Sequence, residues 1–262
     1  MIIYYTTCNQ KLFDASARKM IASYLIYCNH DDILYVFHEN VLHDISSKNV
    51  VYINVTNCTM YTSWFDKFKE IIPTKFGGSA IIEGNERLQF GNKFIKWNQK
   101  TCLWFWKIVA TELVRTYVND DVQYFILLDC DTSFKSQCRL DFYDKILPPN
   151  SAFGYHLGKY RRSVDHTNCA GVESGIIVFR NNKDAHNFID DLVVTYTSGK
   201  FIDYVRWDDG FVFRCLLGKT NHAPYCHDFV RKSKIKNVIT EGPFRKKIVH
   251  HIGKHLRLKI DQ

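Results

Sequence analysis

The sequence predicts an α/β fold in which a mixed, mostly parallel sheet is flanked by helices on both faces of a single domain. Strand and helix patterns alternate through the first half of the chain, as in consecutive βαβ units, which join parallel strands. The apolar and aromatic run at residues 124–128 is typical of a strand that is buried on both faces. No repeat, low-complexity tract or Pro/Gly-rich linker marks a domain boundary.

The first half of the chain has the clearest signals for individual elements. Apolar side chains at Met20, Ile21 and Tyr24 recur at helical spacing, and Pro73 is expected to end a short helix that precedes it. Residues 77–98 are rich in Gly and Asn without a clear period, and we expect a loop there. The predicted elements are a strand at 2–6, a helix at 15–27, strands at 33–37 and 50–55, helices at 64–72 and 100–118, and a strand at 123–128.

The second half of the chain alternates less regularly and is expected to complete the sheet. An apolar run that follows Gly175 predicts a strand at 174–179. An amphipathic pattern closed near Gly199 predicts a helix at 184–196. A second helix is predicted at 208–217, directly after Trp207, and a short late strand at 249–252.

Composition and charge limit the class of protein and its partners. The 262-residue chain is 46% hydrophobic and 24% charged, as is ordinary for a globular protein, and no apolar run is long enough to predict a transmembrane segment. Residues 1–7 lack the basic start of a signal peptide. Nine cysteines without a CxxC pair are consistent with reduced thiols. We therefore expect a cytoplasmic protein.

The basic excess is concentrated late in the chain. The net charge is +8, and two basic segments lie at 231–236 and 245–247. A solvated face is the preferred interpretation, while peripheral contact with an anionic membrane or with phosphorylated substrates remains open. No RRM, KH, zinc-finger or helix-turn-helix pattern is present, so we expect no nucleic-acid partner.

Two acidic residues, Asp129 and Asp131, directly follow the buried strand predicted at 123–128. Ligands bind at the carboxyl ends of strands in an open α/β sheet, and a lone buried carboxylate needs a partner. Carboxylate oxygens suit Mg²⁺ or Mn²⁺, so the two acids predict a site for a divalent cation bound to a diphosphate. A solvated turn is the alternative, because Asp is common in turns.

The segment Asp129-Cys130-Asp131 resembles the DxD motif of metal-dependent nucleotide-sugar glycosyltransferases with the GT-A fold. Lys107, in the helix predicted before the strand, matches a basic residue that touches the nucleotide-sugar in related transferases. Glu173, which precedes an apolar strand, matches the segment that those enzymes place beside the acceptor. The resemblance implies a GT-A fold and a nucleoside-diphosphate sugar donor.

A third similarity lies near the C-terminal end of the sequence. His250 begins an H-x-x-G segment similar to that of retaining transferases of the glycogenin type, in which the His is a third metal ligand. His251 is the alternative ligand. That family has a Lys three positions after the Gly, whereas this chain has Leu256, so Lys254 or His255 is expected to bind the diphosphate instead.

The resemblance also implies where the nucleotide binds. Thr6, Thr7 and Cys8, at the end of the first strand, lie where GT-A enzymes bind the nucleoside base. Ordinary strand-end hydrogen bonding is the alternative for the two threonines. Mn²⁺ or Mg²⁺ is the implied cofactor, held by Asp129 and Asp131 together with the third ligand.

Two further acids, Asp208 and Asp209, are candidates for the catalytic group that acts as general base on the acceptor hydroxyl. Glu173 is a third candidate. The alternative is that one or both cap the helix that follows them. Trp207 beside them is expected to stack on a sugar ring.

These features predict a glycosyltransferase that moves a hexosyl or pentosyl group from a nucleoside-diphosphate sugar, with uridine favoured, to a glycan or other hydroxyl acceptor. The resemblance of the His-Gly segment favours retention at the anomeric carbon. Residues 1–131 would form the nucleotide-sugar-binding half and residues 132–262 the acceptor-binding half. The alternatives are a nucleotidyltransferase, although residues 6–13 contain no glycine for a phosphate loop, and a basic nucleic-acid-binding protein.

Overall fold

The structure is a computed structural model that describes residues 1–72, 101–156, 172–204, 207–219, 222–229, 239 and 241–251. It contains one large sheet and a separate two-stranded sheet. The strands are β1 (Ile2–Asn9), β2 (Ile33–Glu39), β3 (Val50–Asn54), β4 (Tyr124–Leu128), β5 (Thr132–Phe134), β6 (Phe153–His156), β7 (Glu173–Arg180), β8 (Cys226–Asp228) and β9 (Ile248–His250).

Helices connect these strands and cover the sheet. A turn of α-helix (Gln10–Leu12) and a turn of π-helix (Phe13–Ala17) precede the first of them. The helices are α1 (Arg18–Tyr27), α2 (Thr59–Phe68), α3 (Thr101–Tyr117), α4 (Leu140–Ile146), α5 (Lys183–Ser198) and α6 (Asp209–Lys219). Within the described part of the chain, every helix is too short or too polar to span a bilayer.

The large sheet has the order β3-β2-β1-β4-β7-β6-β8 and is mixed. Strands β1 to β4 run parallel to one another, β7 is antiparallel to β4 and β6, and β8 is parallel to β6. Because β7 reverses direction beside β4, it begins at the sheet edge where β4 ends. This edge also holds the carboxyl ends of β1, β6 and β8.

Two apolar layers hold the helices against the two faces of the sheet. One layer joins the sheet to α2, α3, α5 and α6, with Trp64, Phe105 and Phe188 among its buried side chains. The other joins it to α1 and α4, with Met20 and Tyr143. The prediction of a mixed, mostly parallel sheet with helices on both faces is confirmed.

Several local predictions differ from the structure. The helix predicted at 64–72 occupies Thr59–Phe68 instead, because Ile71 and Ile72 turn back to donate to the Phe68 carbonyl and Ile72 becomes buried. Strands β5, β6 and β8 and helix α4 were not predicted, since each is too short to show a period. The loop predicted at 77–98 lies outside the described residues.

Candidate active site

The site lies where β4 ends beside the start of β7. Leu128 pairs with Ile176, and the next residue, Asp129, donates its backbone N–H to the carbonyl oxygen of Gly175 at 2.9 Å. This bond fixes the backbone of Asp129 at the sheet edge. The first residues of β7 are therefore neighbours of the first acid of the DxD segment.

Asp129, Asp131 and His250 come together in one cluster. Each offers one ligand atom, and these atoms all lie within 4.8 Å of one another. The Nε2 atom of His250 lies 3.1 Å from Oδ1 of Asp131. The small sheet brings His250 here, because β5 follows the acids directly and pairs Thr132 with His250 of β9.

The neighbouring histidine makes different contacts. The backbone N–H of His251 donates to the Asp131 carbonyl oxygen at 2.8 Å, and its ring Nε2 lies 2.9 Å from Oγ of Ser133. Successive side chains point to opposite faces of a strand, so only one of the two rings can face the acids. The structure places His250 there.

Lys107 of α3 is buried beneath the cluster. Its Nζ atom lies 2.6 Å from Oδ1 of Asp129 and 3.4 Å from Oδ2 of Asp209, and it donates to Oγ of Ser174 at 3.4 Å. Burial alone would lower the pKa of Lys107, but the two carboxylates outweigh it and the pKa is raised above its usual value. Lys107 therefore stays charged and links acids from both halves of the fold.

Two groups of the cluster have raised pKa values. The pKa of Asp129 is raised, first by burial and then by the nearby Asp131 charge, although Lys107 acts in the opposite direction. The pKa of His250 is also raised, because Asp131 outweighs the effect of burial. Two crowded carboxylates with a third donor are a set that a divalent cation would stabilise.

The start of α6 holds the two candidate acceptor acids in different roles. Oδ1 of Asp208 accepts from the N–H of Phe211 at 3.1 Å and so caps the helix. Asp209 instead turns its carboxylate to Lys107. The capping and the ion pair explain why both acids are almost fully buried.

Gly210 is a positioning residue that the sequence did not identify. A Cβ atom at this position would lie 2.3 Å from the Val172 carbonyl oxygen, and the N–H of Val172 donates to the Gly210 carbonyl at 2.8 Å. Only glycine permits this approach. The signal in the sequence was a glycine directly after the acidic pair, within the first turn of a predicted helix.

Glu173 lies close to the first ligand acid. A Cβ atom added to Gly175 would stand 3.3 Å from Oδ2 of Asp129 and 3.5 Å from Oε1 of Glu173. Both carboxylates therefore face the same small space above Gly175. The structure brings Glu173 together with the predicted metal ligands.

The residues predicted to contact the base lie at the same edge with unequal exposure. Thr6 and Cys8 are buried, whereas Thr7 is partly exposed. Within the described part of the chain, Oγ1 of Thr6 has no hydrogen-bond partner. Lys254, the predicted diphosphate ligand, lies outside the described residues.

The prediction that Trp207 stacks on a sugar ring is wrong. Its side chain is 1% exposed, its Nε1 donates to the Tyr204 carbonyl oxygen at 3.1 Å, and it packs edge-on against Phe201. The ring belongs to the core beneath α6 and has no face available to a ligand.

Comparison with known proteins rests on structure alone. No family model and no curated protein matches the sequence. Mouse xyloside xylosyltransferase 1 in its apo form matches with a TM-score of 0.54 and 13% identity, over 97% of this chain and 98% of that one. The galactosyltransferase LgtC, in complex with donor and acceptor sugar analogues, matches with a TM-score of 0.52 and 10% identity, over 97% and 88%. This is the GT-A fold.

A third GT-A structure, the apo form of the bifunctional glycosyltransferase WbbM, matches with a TM-score of 0.51 and 11% identity. The match covers 97% of this chain and 46% of WbbM. At such identities the likeness concerns the fold, and the predicted GT-A architecture is confirmed by it. In this fold, the two acids and the histidine lie together at the carboxyl edge of the sheet.

Proposed function

We propose that this protein is a metal-dependent glycosyltransferase that moves a sugar from a nucleoside-diphosphate sugar, with uridine favoured, to a hydroxyl of a glycan or other acceptor. The observation that carries the proposal is the Asp129–Asp131–His250 cluster at the carboxyl edge of a GT-A sheet. The eight cysteines among the described residues are all free thiols, which agrees with the proposed cytoplasmic location.

The donor set of the cluster fits a divalent cation. Two carboxylates suit Mg²⁺ and Mn²⁺ equally, whereas an imidazole nitrogen is a poorer ligand for Mg²⁺. Mn²⁺ is therefore the preferred ion, held by Asp129, Asp131 and His250. When bound, it would supply Lewis-acid stabilisation of the negative charge that develops on the leaving diphosphate.

The chain's own residues prepare the site for transfer. Lys107 keeps Asp129 and Asp209 at fixed positions through its contacts of 2.6 and 3.4 Å. The capped start of α6 keeps Asp209 rigid. Glu173, beside Asp129, is the acid that we assign to the acceptor side.

Retention of anomeric configuration is the stereochemical outcome that we propose. An inverting reaction needs a general base on the acceptor hydroxyl. Asp208 caps α6 and Asp209 pairs with Lys107, so both carboxylates are already engaged in structural contacts. Glu173 then orients the acceptor, and proton NMR of the product would identify the anomer.

The test is a panel of sugar nucleotides with and without Mn²⁺. UDP-xylose and UDP-galactose are the first donors to try, because the structural neighbours are a xylosyltransferase and a galactosyltransferase. We expect Mn²⁺-dependent hydrolysis of at least one donor and Mn²⁺-dependent binding of UDP by calorimetry. Asp131→Ala and His250→Ala should each lower metal affinity at least about 10-fold, as loss of a ligand does.

His251→Asn is the matched control, because that ring contacts Ser133 rather than the acids. It should retain metal affinity and hydrolysis. Metal-independent UDP binding, or full activity of Asp131→Ala, would overturn the proposed function. Salt-sensitive retention on nucleic acid without UDP binding would favour the nucleic-acid alternative.

A further inference from the structure

A buried histidine–aspartate pair lies on the last two strands of the sheet order, β6 and β8. His156 ends β6 and Asp228 ends β8, and their side chains are 1% and 5% exposed. Nδ1 of His156 is 3.8 Å from Oδ1 of Asp228, which is too long for a hydrogen bond. Within the described part of the chain, neither ring nitrogen of His156 has a hydrogen-bond partner.

The pair lies at the functional edge of the sheet. Strand β6 is antiparallel to β7, as β4 is, so β6 and β4 end at the same edge. His156 is the register partner of Glu173, after a bulge that begins at Gly154. Bulges are frequent beside active sites, where they redirect a side chain. The series of ionisable groups Asp129, Glu173, His156 and Asp228 thus follows adjacent strands along one edge.

If His156 has only a structural role, its burial lowers the stability of the fold. A buried polar group without a hydrogen bond costs about 1–3 kcal/mol. An apolar side chain of similar volume would fill the same space without that cost. An unsatisfied buried group beside a candidate site calls for an explanation, and a functional role is one that accounts for the lost stability.

We propose that His156 and Asp228 are positioning residues that fix Glu173 for a sugar acceptor, a step that rests on the proposed function. With substrates bound, Nδ1–H of His156 donates to Asp228, and Nε2 then interacts with the Glu173 side chain. A histidine whose one nitrogen is held by a carboxylate has a defined orientation at the other. His156 is too buried to touch the acceptor and acts only through Glu173.

The first test separates positioning from a structural role. His156→Leu should keep or raise the Tm, because it removes unpartnered buried nitrogens. The same variant should lower transfer to methyl β-D-xyloside and methyl β-D-galactoside at least about 10-fold, since small misplacements of a positioning group have effects of this size. Donor hydrolysis and Mn²⁺-dependent UDP binding should change less than about twofold, because the metal cluster is intact.

A second variant keeps the inference testable if His156→Leu misfolds. Asp228→Asn preserves shape and should lower the ratio of transfer to hydrolysis in the same direction. His156→Gln retains polar atoms and should recover part of the loss. His222→Leu is the control, because it removes a histidine that contacts an aspartate, Asp191, at 2.7 Å in the segment before β8, in a more exposed setting and away from the functional edge.

The outcomes distinguish this inference from the proposed function. If the wild-type protein neither hydrolyses a donor nor binds UDP with Mn²⁺, the proposed function fails. If hydrolysis occurs without transfer to either glycoside, the assignment of a sugar acceptor is overturned. If transfer occurs and folded His156→Leu and Asp228→Asn leave its ratio to hydrolysis unchanged, the two residues are structural.

Discussion

The two halves of the large sheet are built on different principles. Strands β1, β2, β3 and β4 form a continuous parallel block in which β1 pairs with β2 over seven consecutive residues. Strands β7, β6 and β8 form a mixed block with a bulge, and its outer strands have four and three residues. The regular block contributes Asp129 and Asp131, and the irregular block contributes Glu173 and the His156–Asp228 pair.

Under the proposed function, this difference would separate a rigid cation site from the recognition of the acceptor. The parallel block, whose strand β4 is buried on both faces, holds the proposed cation ligands. A bulged, short-stranded block with buried ionisable groups is suited to recognise a particular acceptor. Lys107 links the two blocks, because it contacts Asp129 after β4 and Asp209 at the start of α6, the helix that packs on β7.

Removing Lys107 should therefore have the largest effect. Lys107→Met leaves the half-buried Asp129 and the buried Asp209 without their cation, and breaking a buried ion pair on one side costs about 3–5 kcal/mol. We expect a large fall in the free energy of unfolding by urea denaturation and loss of transferase activity. Lys67→Met, at an exposed lysine of α2, is the control. An unchanged unfolding midpoint would contradict the proposed link between the blocks.

The next largest effect concerns the start of α6, the helix that packs on β7 of the irregular block. Gly210→Ala places a methyl group 2.3 Å from the Val172 carbonyl oxygen, so the helix start must move. Overpacking of this kind costs about 2 kcal/mol. We expect a lower Tm and weaker transfer, measured on the same sample, because Asp209 moves with the helix.

Gly175→Ala tests the contact between β7 of the irregular block and the Asp129 carboxylate of the parallel block. Its added Cβ would meet the Asp129 carboxylate at 3.3 Å, which a small side-chain shift relieves. Metal affinity should fall while the Tm stays nearly constant. If Gly175→Ala proves the more destabilising of the two alanine variants, the backbone approach at Gly210 is less strict than its geometry implies.

A smaller effect follows from the raised pKa of His250. A metal ligand must be deprotonated, and Asp131 holds the proton on His250 to a higher pH than usual despite the opposing effect of burial. Mn²⁺ affinity should thus fall as the pH drops through this raised pKa, by up to about 10-fold per pH unit for one proton. Above that pKa, affinity should level off.

Calorimetric titration with Mn²⁺ across this pH range would measure the slope. His251→Asn should keep it, because its ring lies against Ser133. His250→Ala should bind weakly with a flatter profile. If the profile is equally steep without His250, the titrating group is an acid of the cluster instead, such as Asp129, whose pKa is also raised.

The parallel block could be predicted from the sequence because its signals are local. Residues 124–128 are apolar throughout, and the paired acids follow at once. Strands β5 and β8 have three residues each and depend on partners far along the chain, so no local period reveals them. Their positions follow only from tertiary packing.

The candidate site was predictable to a similar extent. Asp129 and Asp131 follow from strand-end chemistry, and His250 was identified only through its resemblance to a known segment. The burial of Trp207 was missed, because an aromatic residue beside acids looks the same in sequence whether it faces a ligand or the core. The contact of Lys107 with Asp209 was missed because it joins residues that only the complete fold brings together.

The smallest predicted effect concerns the packing of α2 against α5. Nε1 of Trp64 in α2 donates to the Tyr196 carbonyl oxygen of α5 at 3.1 Å. Trp64→Phe keeps an aromatic ring but removes this donor, and a buried hydrogen bond of this kind contributes about 1 kcal/mol. The Tm should fall by a few degrees, with transfer unchanged. Lys67, which donates from the next turn of α2 to the Thr197 carbonyl, is exposed, so Lys67→Met should have almost no effect. Equal losses in the two variants would mean that the Trp64 hydrogen bond adds nothing to the packing of α2 against α5.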